Sequence, residues 1–472
     1  MASIRAAAIL LVASAAVGLP PPPCRAPDYQ PKAGELHPQI VLPAADDTGP
    51  IALSGFRGQK VLLIHFASWS EDCRRRLPAW VERTRSLVES KKLVVVAVAQ
   101  EQHADRARLL LQWLNADWIV LHDPLNLLGV RTVPRAIAID EHGIVRDTNP
   151  RPDTVAESFV LKDFAGKPGP TPEPETTDLP DPRITRRIAG ESRVSGPWRD
   201  HGDALVLAGL PPQLDEAIEA YEKALTLNRD DFAAAFRLGV ARRIRFDRPE
   251  RRENDFQEAV NAWQRAVKGD PRHGIYQARV KQYGPAVDRE HGFYGWVAEA
   301  RAAIAARGQT PVALAVEPSP AEQARPAGEF KISSRPVPER DRRPPADAGN
   351  LVRITQAVVR GTEKRNQSVA MVHLVFTLAS DRPVRWCNTK EPLRVWIQRP
   401  QTGRLAEEYV ELPNPSAAES TEERTVNFQL RLPPTRKGIL TLKAHVLYWV
   451  NADGESKEPR LLRHEVEVRV PL

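Results

Sequence analysis

The chain has 472 residues, which is too long for one hydrophobic core and predicts roughly three domains of ordinary size. Its 42% hydrophobic and 27% charged residues are typical of soluble globular domains, whereas its 43 prolines are about twice ordinary usage. Three cysteines are too few for a disulfide scaffold, and the net charge of +7 is spread along the chain, which argues against a nucleic-acid partner.

Residues 1–26 have the pattern of a secretory signal peptide. Arg5 precedes an apolar run over residues 6–19, and Ala13-Ser14-Ala15 is a candidate cleavage site. The run is shorter than the roughly 20 residues that span a bilayer. We therefore expect export to the periplasm or cell envelope of a bacterium. An uncleaved, shallow anchor is the alternative, and we expect membrane contact only through this segment.

Two segments rich in Pro, Glu, Arg and Ser, residues 166–197 and 309–348, contain too few apolar residues to offset the entropy of ordering them. We predict that both are linkers. They divide the mature chain into candidate domains at residues 30–165, 198–308 and 349–472, each of ordinary domain size.

The first candidate domain alternates strand and helix patterns. Apolar runs at residues 61–66 and 92–99, with a third strand-like run at 136–140, are separated by helical patterns at 78–90 and 104–115. Nearly uninterrupted apolar strands between amphipathic helices predict an α/β domain whose sheet is covered on both faces.

The second candidate domain is predicted to be helical and contains a near-repeat. The small-large-small pattern of one stretch recurs farther along the chain, where the two sets are Ala217, Tyr221, Ala224 and Ala259, Trp263, Ala266. This pattern resembles a tetratricopeptide repeat, with an insertion in the polar stretch 245–254. A plain helical bundle is the alternative.

The third candidate domain is predicted to be all β. Apolar residues alternate with polar ones in two clear runs, at Val426, Phe428, Leu430 and Leu432 and at Val466, Val468 and Val470. Alternation at period two over several runs predicts an antiparallel β-sandwich.

The first domain carries two motifs of known type. Phe66-Ala67-Ser68-Trp69, with Cys73 five residues before Pro78, resembles the active-site loop of thioredoxin-like proteins, in particular exported bacterial thiol-disulfide oxidoreductases and redoxins. Residues 129–143 resemble the cis-proline loop and following strand of that fold, in which Pro134 would be the cis-proline. The resemblance covers roughly residues 30–165.

The loop departs from this family at the residue that matters most for its chemistry. The resemblance places Ser70 where the family has its attacking cysteine, and a serine hydroxyl cannot replace a thiolate in disulfide exchange. Cys24 belongs to the signal segment or its margin, and Cys387 lies in another domain. The position on the strand where thioredoxins often hold a buried acid is also apolar here.

Cys73 has two interpretations. It can be a buried cysteine that packs as a small hydrophobe. Alternatively, the first turn of a helix and the neighbouring Arg74, Arg75 and Arg76 favour a reactive thiolate. Ser70-x-x-Cys73 also fits the Thr/Ser-x-x-Cys motif of peroxiredoxins.

The sequence is compatible with three functions. The resemblance implies a thiol oxidoreductase or a one-cysteine peroxidase, with Cys73, Ser70 and Pro134 as catalytic residues. The second function is a redox-silent binding protein, with Trp69, Val133 and Pro134 as a groove for a protein partner and the helical repeats as a second docking face. The third is an envelope spacer. We favour the binding role.

The histidines show no metal-ligand spacing and no Gly-rich phosphate loop follows a strand, so we expect neither metal nor cofactor.

Overall fold

The computed structural model describes residues 29–164, 178–209, 211–285, 292–323, 336–362, 368–415, 417–432, 438–452 and 458–472. The expected signal peptide, Cys24 and part of each expected linker lie outside these residues. Within the described ranges, no helix is both long and apolar enough to cross a membrane.

The chain forms seventeen strands and ten α-helices over the described residues. The strands are β1 (Val41–Pro43), β2 (Pro50–Ala52), β3 (Val61–Phe66), β4 (Val94–Ala99), β5 (Ile119–His122), β6 (Arg135–Ile139), β7 (Val145–Asp147), β8 (Val352–Thr362), β9 (Ser368–Leu378), β10 (Val384–Cys387), β11 (Leu393–Ile397), β12 (Arg404–Leu405), β13 (Tyr409–Leu412), β14 (Glu419–Ser420), β15 (Arg424–Arg431), β16 (Ile439–Ala452) and β17 (Arg460–Pro471). The helices are α1 (Glu71–Glu89), α2 (Ala104–Trp113), α3 (Pro182–Gly190), α4 (Ser195–Ala208), α5 (Pro211–Leu227), α6 (Phe232–Phe246), α7 (Asp255–Gly269), α8 (Gly274–Tyr283), α9 (Val297–Ala306) and α10 (Pro320–Gln323).

The first region is an α/β domain built on a five-stranded sheet of order β5-β4-β3-β6-β7. Strand β3 is parallel to β4 and antiparallel to β6. All six residues of β3 are buried, and alternate side chains enter two cores. Leu62, Ile64 and Phe66 pack with Cys73, whereas Val61 and Leu63 belong to a core that continues into the helical region. The uninterrupted apolar run of β3 is thus explained by burial on both faces.

The helical region stacks consecutive helices from α3 to α8. The six residues of the near-repeat are all fully buried. Tyr221 lies against Gly202 of α4, where an added Cβ would come within 2.6 Å of the Tyr221 ring. Trp263 lies against Gly239 of α6 in the same way, since an added Cβ there would come within 2.4 Å of its Nε1. Each aromatic ring of the near-repeat therefore needs a glycine on the preceding helix.

The third region consists of two antiparallel sheets. One has the order β13-β11-β16-β10-β14, with β17 also paired to β16, and the other has the order β12-β15-β9-β8. The buried side chains of both sheets form one hydrophobic cluster, which includes Val426 and Phe428 of β15 and Val468 and Val470 of β17. The alternation at period two thus corresponds to one buried face per strand.

The segments expected to be linkers contain packed structure in their described parts, which corrects the expectation of featureless linkers at 166–197 and 309–348. Helix α3 lies within the first segment and packs on α4 through the buried Ala189. In the second segment Leu314, Val316 and Glu322 are buried. A few well-placed apolar and charged residues anchor these stretches, which average composition does not reveal.

Candidate thiol site

The thiol motif lies where β3 ends and α1 begins. Helix α1 starts at Glu71, earlier than the expected start near residue 78, and includes Pro78 in its interior. Ser70 is the N-cap, and its Oγ accepts a hydrogen bond from the Cys73 backbone N at 3.3 Å. The hydroxyl therefore satisfies a free N–H of the first helical turn, which is the ordinary role of serine at this position.

Cys73 is fully buried in the first turn of α1. Its Sγ accepts a hydrogen bond from the Ala67 backbone N at 3.4 Å. Burial raises the pKa of the thiol to about 12, because the hydrogen bonds from Ser70 and Ala67 and the charge of Arg74 only partly offset the loss of hydration. Desolvation outweighs the helix dipole, so the thiol stays protonated at neutral pH.

The three arginines after Cys73 are directed to other partners or to solvent. Arg74 donates hydrogen bonds to the backbone oxygens of Ser68, at 2.5 Å, and Phe293, at 3.3 Å. Arg75 forms an exposed salt bridge with Asp72, and Arg76 is exposed. Because Arg74 is bonded to backbone oxygens and Arg75 and Arg76 face solvent, the three arginines contribute little of the positive field expected at the Cys73 sulfur.

The second motif lies beside the first. The Val133–Pro134 peptide bond is cis, and β6, which starts at the next residue, pairs with β3. Trp69 is half-buried, and its Nε1 donates to the backbone oxygen of Gln100 at 3.0 Å. Trp69 and Val133 both pack against the apolar cluster that contains Cys73. The structure therefore brings the residues of both motifs together at one end of the sheet.

The structure places a buried acid near Cys73, at a position that the sequence pattern did not predict. Glu101 follows β4, is fully buried, and accepts hydrogen bonds from the Ser68 backbone N and from the Tyr294 hydroxyl, the latter at 3.2 Å. Burial raises the pKa of Glu101, although the bond from Ser68 and the charge of Arg279 oppose the shift. A glutamate just after the all-apolar strand β4 was the available signal, because the ends of neighbouring strands lie together.

Residues from the helical region cover this end of the sheet. The Tyr294 hydroxyl, which donates to Glu101, also accepts a hydrogen bond from Gln282 Nε2 at 2.8 Å. Arg106 stacks over the Tyr294 ring, with its guanidinium carbon 4.2 Å from the ring centre. Glu101 and Arg74, two polar residues around Cys73, are therefore hydrogen-bonded to distant residues of the chain.

The cis-proline loop is also held by the helical region. Both terminal nitrogens of Arg131 donate to the Asp270 carboxylate, each at 2.7 Å. The Ile275 backbone N donates to the Arg131 carbonyl at 3.3 Å, and a Cβ on Gly274 would lie 2.9 Å from that oxygen. The rim of the groove expected at Trp69, Val133 and Pro134 is thus in contact with the first turn of α8.

Comparison with known proteins gives matches to the first region of the chain. Residues 32–161 match the family model described as Redoxin. Among solved structures, the chain is similar to a Chlorobium tepidum protein assigned as the thiol:disulfide interchange protein DsbE, with 30% identity over 25% of this chain and 84% of that chain and a TM-score of 0.23. It is also similar to a secreted Mycobacterium tuberculosis disulfide oxidoreductase, with 14% identity over 25% of this chain and 93% of that chain and a TM-score of 0.23. No curated protein matches the chain.

The redoxin match includes β3, α1 and the cis-proline loop, the elements that assemble the site. This part of the chain is a redoxin-type, thioredoxin-like domain. It differs from a two-cysteine site in having Ser70 and a single buried thiol, at Cys73.

Proposed function

We propose that the protein is an exported scaffold whose thioredoxin-like domain carries out no disulfide exchange. The observation that carries this proposal is the complete burial of Cys73, with its thiol pKa raised to about 12. Exchange begins with attack by a thiolate, and a mixed disulfide is then resolved by a second thiol. Cys73 is protonated at neutral pH, and Ser70 cannot supply either sulfur.

In this proposal the thioredoxin-like domain is a platform for the rest of the chain. The contacts of Arg131 with Asp270 and of Glu101 with Tyr294 support it, because they occupy donors and acceptors beside the cis-proline loop. The groove at Trp69, Val133 and Pro134 then has an internal partner along its rim. An external protein partner is expected at the helical repeats, the second docking face that the sequence predicts.

Export rests on the signal pattern at residues 1–26 and the absence of any other long apolar stretch in the sequence. The native protein should begin between about residue 16 and residue 27 and should be recovered from the cell envelope fraction. N-terminal sequencing checks this, and cytosolic protein that retains Met1 would contradict it.

The test of redox silence is the alkylation rate of Cys73 as a function of pH. In full-length protein with Cys24→Ser and Cys387→Ser, iodoacetamide should react at pH 7 about a thousandfold more slowly than with a free cysteine of pKa about 8.5. The same protein in denaturant is the control and should react at the ordinary rate. An inflection below about pH 7 in the folded protein would refute the proposal.

A one-cysteine peroxidase is the second candidate, and it is favoured by the buried carboxyl group of Glu101, whose charge acts on the Cys73 thiol. A carboxylate with a raised pKa can accept the proton of a neighbouring thiol, as general-base activation of a nucleophile requires. Peroxide would then oxidise the thiolate to a sulfenic acid and be reduced to water. Dimedone labelling after mild peroxide treatment, present in the wild type and lost in Cys73→Ser, would establish this candidate; no labelling supports the scaffold.

A further inference from the structure

A cavity of about 740 Å³ opens on the thioredoxin-like domain, away from Cys73. It lies between the C-terminal half of α1, the C-terminal half of α2 and the start of β5. Small-molecule sites in proteins are typically about 300–1,000 Å³ and combine an apolar lining with a few polar groups. Its size therefore suits a small ligand.

The floor of the cavity is apolar. Val81 of α1 and Leu111 of α2 are buried, and Ile51, Ile119 and Val120 are half-buried around them. These side chains come from four separate elements, α1, α2, β2 and β5, and partly exposed aliphatic groups remain in contact with solvent. A ligand with a hydrocarbon portion would remove this apolar surface from water.

One wall is formed by residues from the segment expected to be a linker. Gln112 of α2 holds this wall with both ends of its side-chain amide. Its Nε2 donates to the Thr310 carbonyl at 2.8 Å, and its Oε1 accepts from the Val312 backbone N at 2.8 Å. These two hydrogen bonds hold the wall against α2. The entropic cost of ordering the wall around a ligand is therefore lower.

Two arginines give the rim its polarity. Arg85, which is exposed, and Arg108 line the cavity, and neither forms a salt bridge among the described residues, although the charge of Arg108 acts on Asp46. Arg108 is half-buried, whereas the acids on the same rim, Asp46, Glu89 and Asp117, are exposed. Asp46 accepts hydrogen bonds from the backbone N and the hydroxyl of Thr48. A half-buried guanidinium gains more from a bound anion than exposed carboxylates gain from a cation.

We propose that this cavity binds a small amphipathic molecule with a hydrocarbon chain and one carboxylate. The carboxylate contacts Arg108 and Arg85 at the rim, and the hydrocarbon chain covers the apolar floor. This activity is separate from any chemistry of Cys73, which lies at the opposite end of α1.

The test uses full-length protein and three probes that share a ten-carbon chain, decanoate, decan-1-ol and decyltrimethylammonium, each kept below its micelle concentration. Calorimetry should show one decanoate per chain, with at least about tenfold weaker binding of the other two. Equal binding of decanoate and decanol would exclude the role of the arginines. Preference for the ammonium would show that the acids dominate, and absence of saturable decanoate binding would refute the site.

Variants locate the site. Arg108→Gln should weaken decanoate binding about tenfold, whereas the matched control Arg83→Gln, on α1 but outside the cavity, should leave it unchanged. Ala116→Trp places a bulky side chain in the cavity and should abolish binding, and Cys73→Ser should have no effect. If Arg108→Gln binds decanoate as the wild type does, the proposal is wrong, whatever Ala116→Trp does to folding.

Discussion

The two ends of helix α1 present opposite surroundings. At its N-terminus, Cys73 is fully buried, and the neighbouring Glu101 is hydrogen-bonded to Tyr294 of the helical region. Toward its C-terminus, the same helix lines a cavity with two arginines that form no salt bridge among the described residues. The end that resembles a redox site is closed by the chain itself, whereas the end without a recognised motif is open to a ligand.

This difference shows that a motif's chemistry depends on what packs over it. The Ser70-x-x-Cys73 loop combines a capped helix with an adjacent cis-proline. The helical region supplies hydrogen-bond partners to the same end of the sheet, so the loop serves as a packing surface. Desolvation then sets the protonation state of the thiol.

The largest expected effect comes from restoring the missing thiol. Ser70→Cys should reduce a small disulfide such as oxidised glutathione, in the presence of dithiothreitol, on the order of tenfold or more faster than the wild type, because exchange then has both sulfurs. The gain with insulin should be smaller, since the rim of the groove is occupied by the chain. Equal gains with both substrates would show that the closed end is accessible to proteins.

The second effect concerns the ion pair that ties the closed end together. Arg106 and Glu322 are buried and paired at 2.9 Å. Arg106→Met should lower the free energy of unfolding by about 3–5 kcal/mol, because it leaves Glu322 unpaired in the interior. Urea denaturation measures this loss, and Arg106→Met with Glu322→Leu should recover most of it.

The matched control for that pair is an exposed one. Arg151→Ala removes the salt bridge to Asp153, whose side chains are 73% and 54% exposed, and should cost no more than about 1 kcal/mol. Equal losses of unfolding free energy for the buried and the exposed pair would contradict the expectation that buried contacts between regions stabilise the fold more than exposed ones.

The third effect is a pH dependence from His65 on β3, just before the thiol loop. The side chain is fully buried, and neither ring nitrogen has a hydrogen-bond partner among the described residues. Burial lowers its pKa to about 3, so the folded protein holds it neutral while the unfolded chain binds a proton below pH 6.5. The neutral, buried His65 therefore leaves the free energy of unfolding unreduced above pH 6.5, and this free energy decreases as the pH falls from 6.5 toward 3.

His65→Phe should remove about 1.4 kcal/mol per pH unit from the acid-side decline of the unfolding free energy between pH 6 and pH 4. The ring fits beside Tyr29, which already contacts His65 edge-on at 5.0 Å between centres. Urea denaturation at several pH values measures the slope, and the comparison at pH 8, where neither form is protonated at this site, isolates the packing cost. An unchanged slope would mean that His65 is charged or hydrated in the folded state.

The smallest effect is expected at the open end. Arg85→Gln and Arg108→Gln should each change the unfolding free energy by no more than about 0.5 kcal/mol, because neither arginine has a salt-bridge partner in the described chain. If either variant lost more than about 1.5 kcal/mol of unfolding free energy, that arginine would stabilise the fold. The two ends of α1 would then no longer differ in this respect.

Local patterns in the sequence predicted several of the strands and helices and the thiol loop. The apolar run 61–66 predicts β3, and the alternation from Val426 predicts β15, because burial on two faces or one leaves a distinct period in the residues themselves. Ser70 and Pro134 are recognisable for the same reason, since capping and the proline loop depend on neighbours along the chain.

Only the tertiary structure decided what surrounds those elements. Three features join residues far apart in sequence: the pairing of Glu101 with Tyr294, the ion pair of Arg106 with Glu322, and the wall that Gln309 and Val312 add to the cavity. No period or spacing encodes such contacts, because they arise from the relative placement of whole elements. The burial of Cys73 and the exposure of Arg108 in a cavity both depend on that placement. The function that each end of α1 can serve therefore depends on it as well.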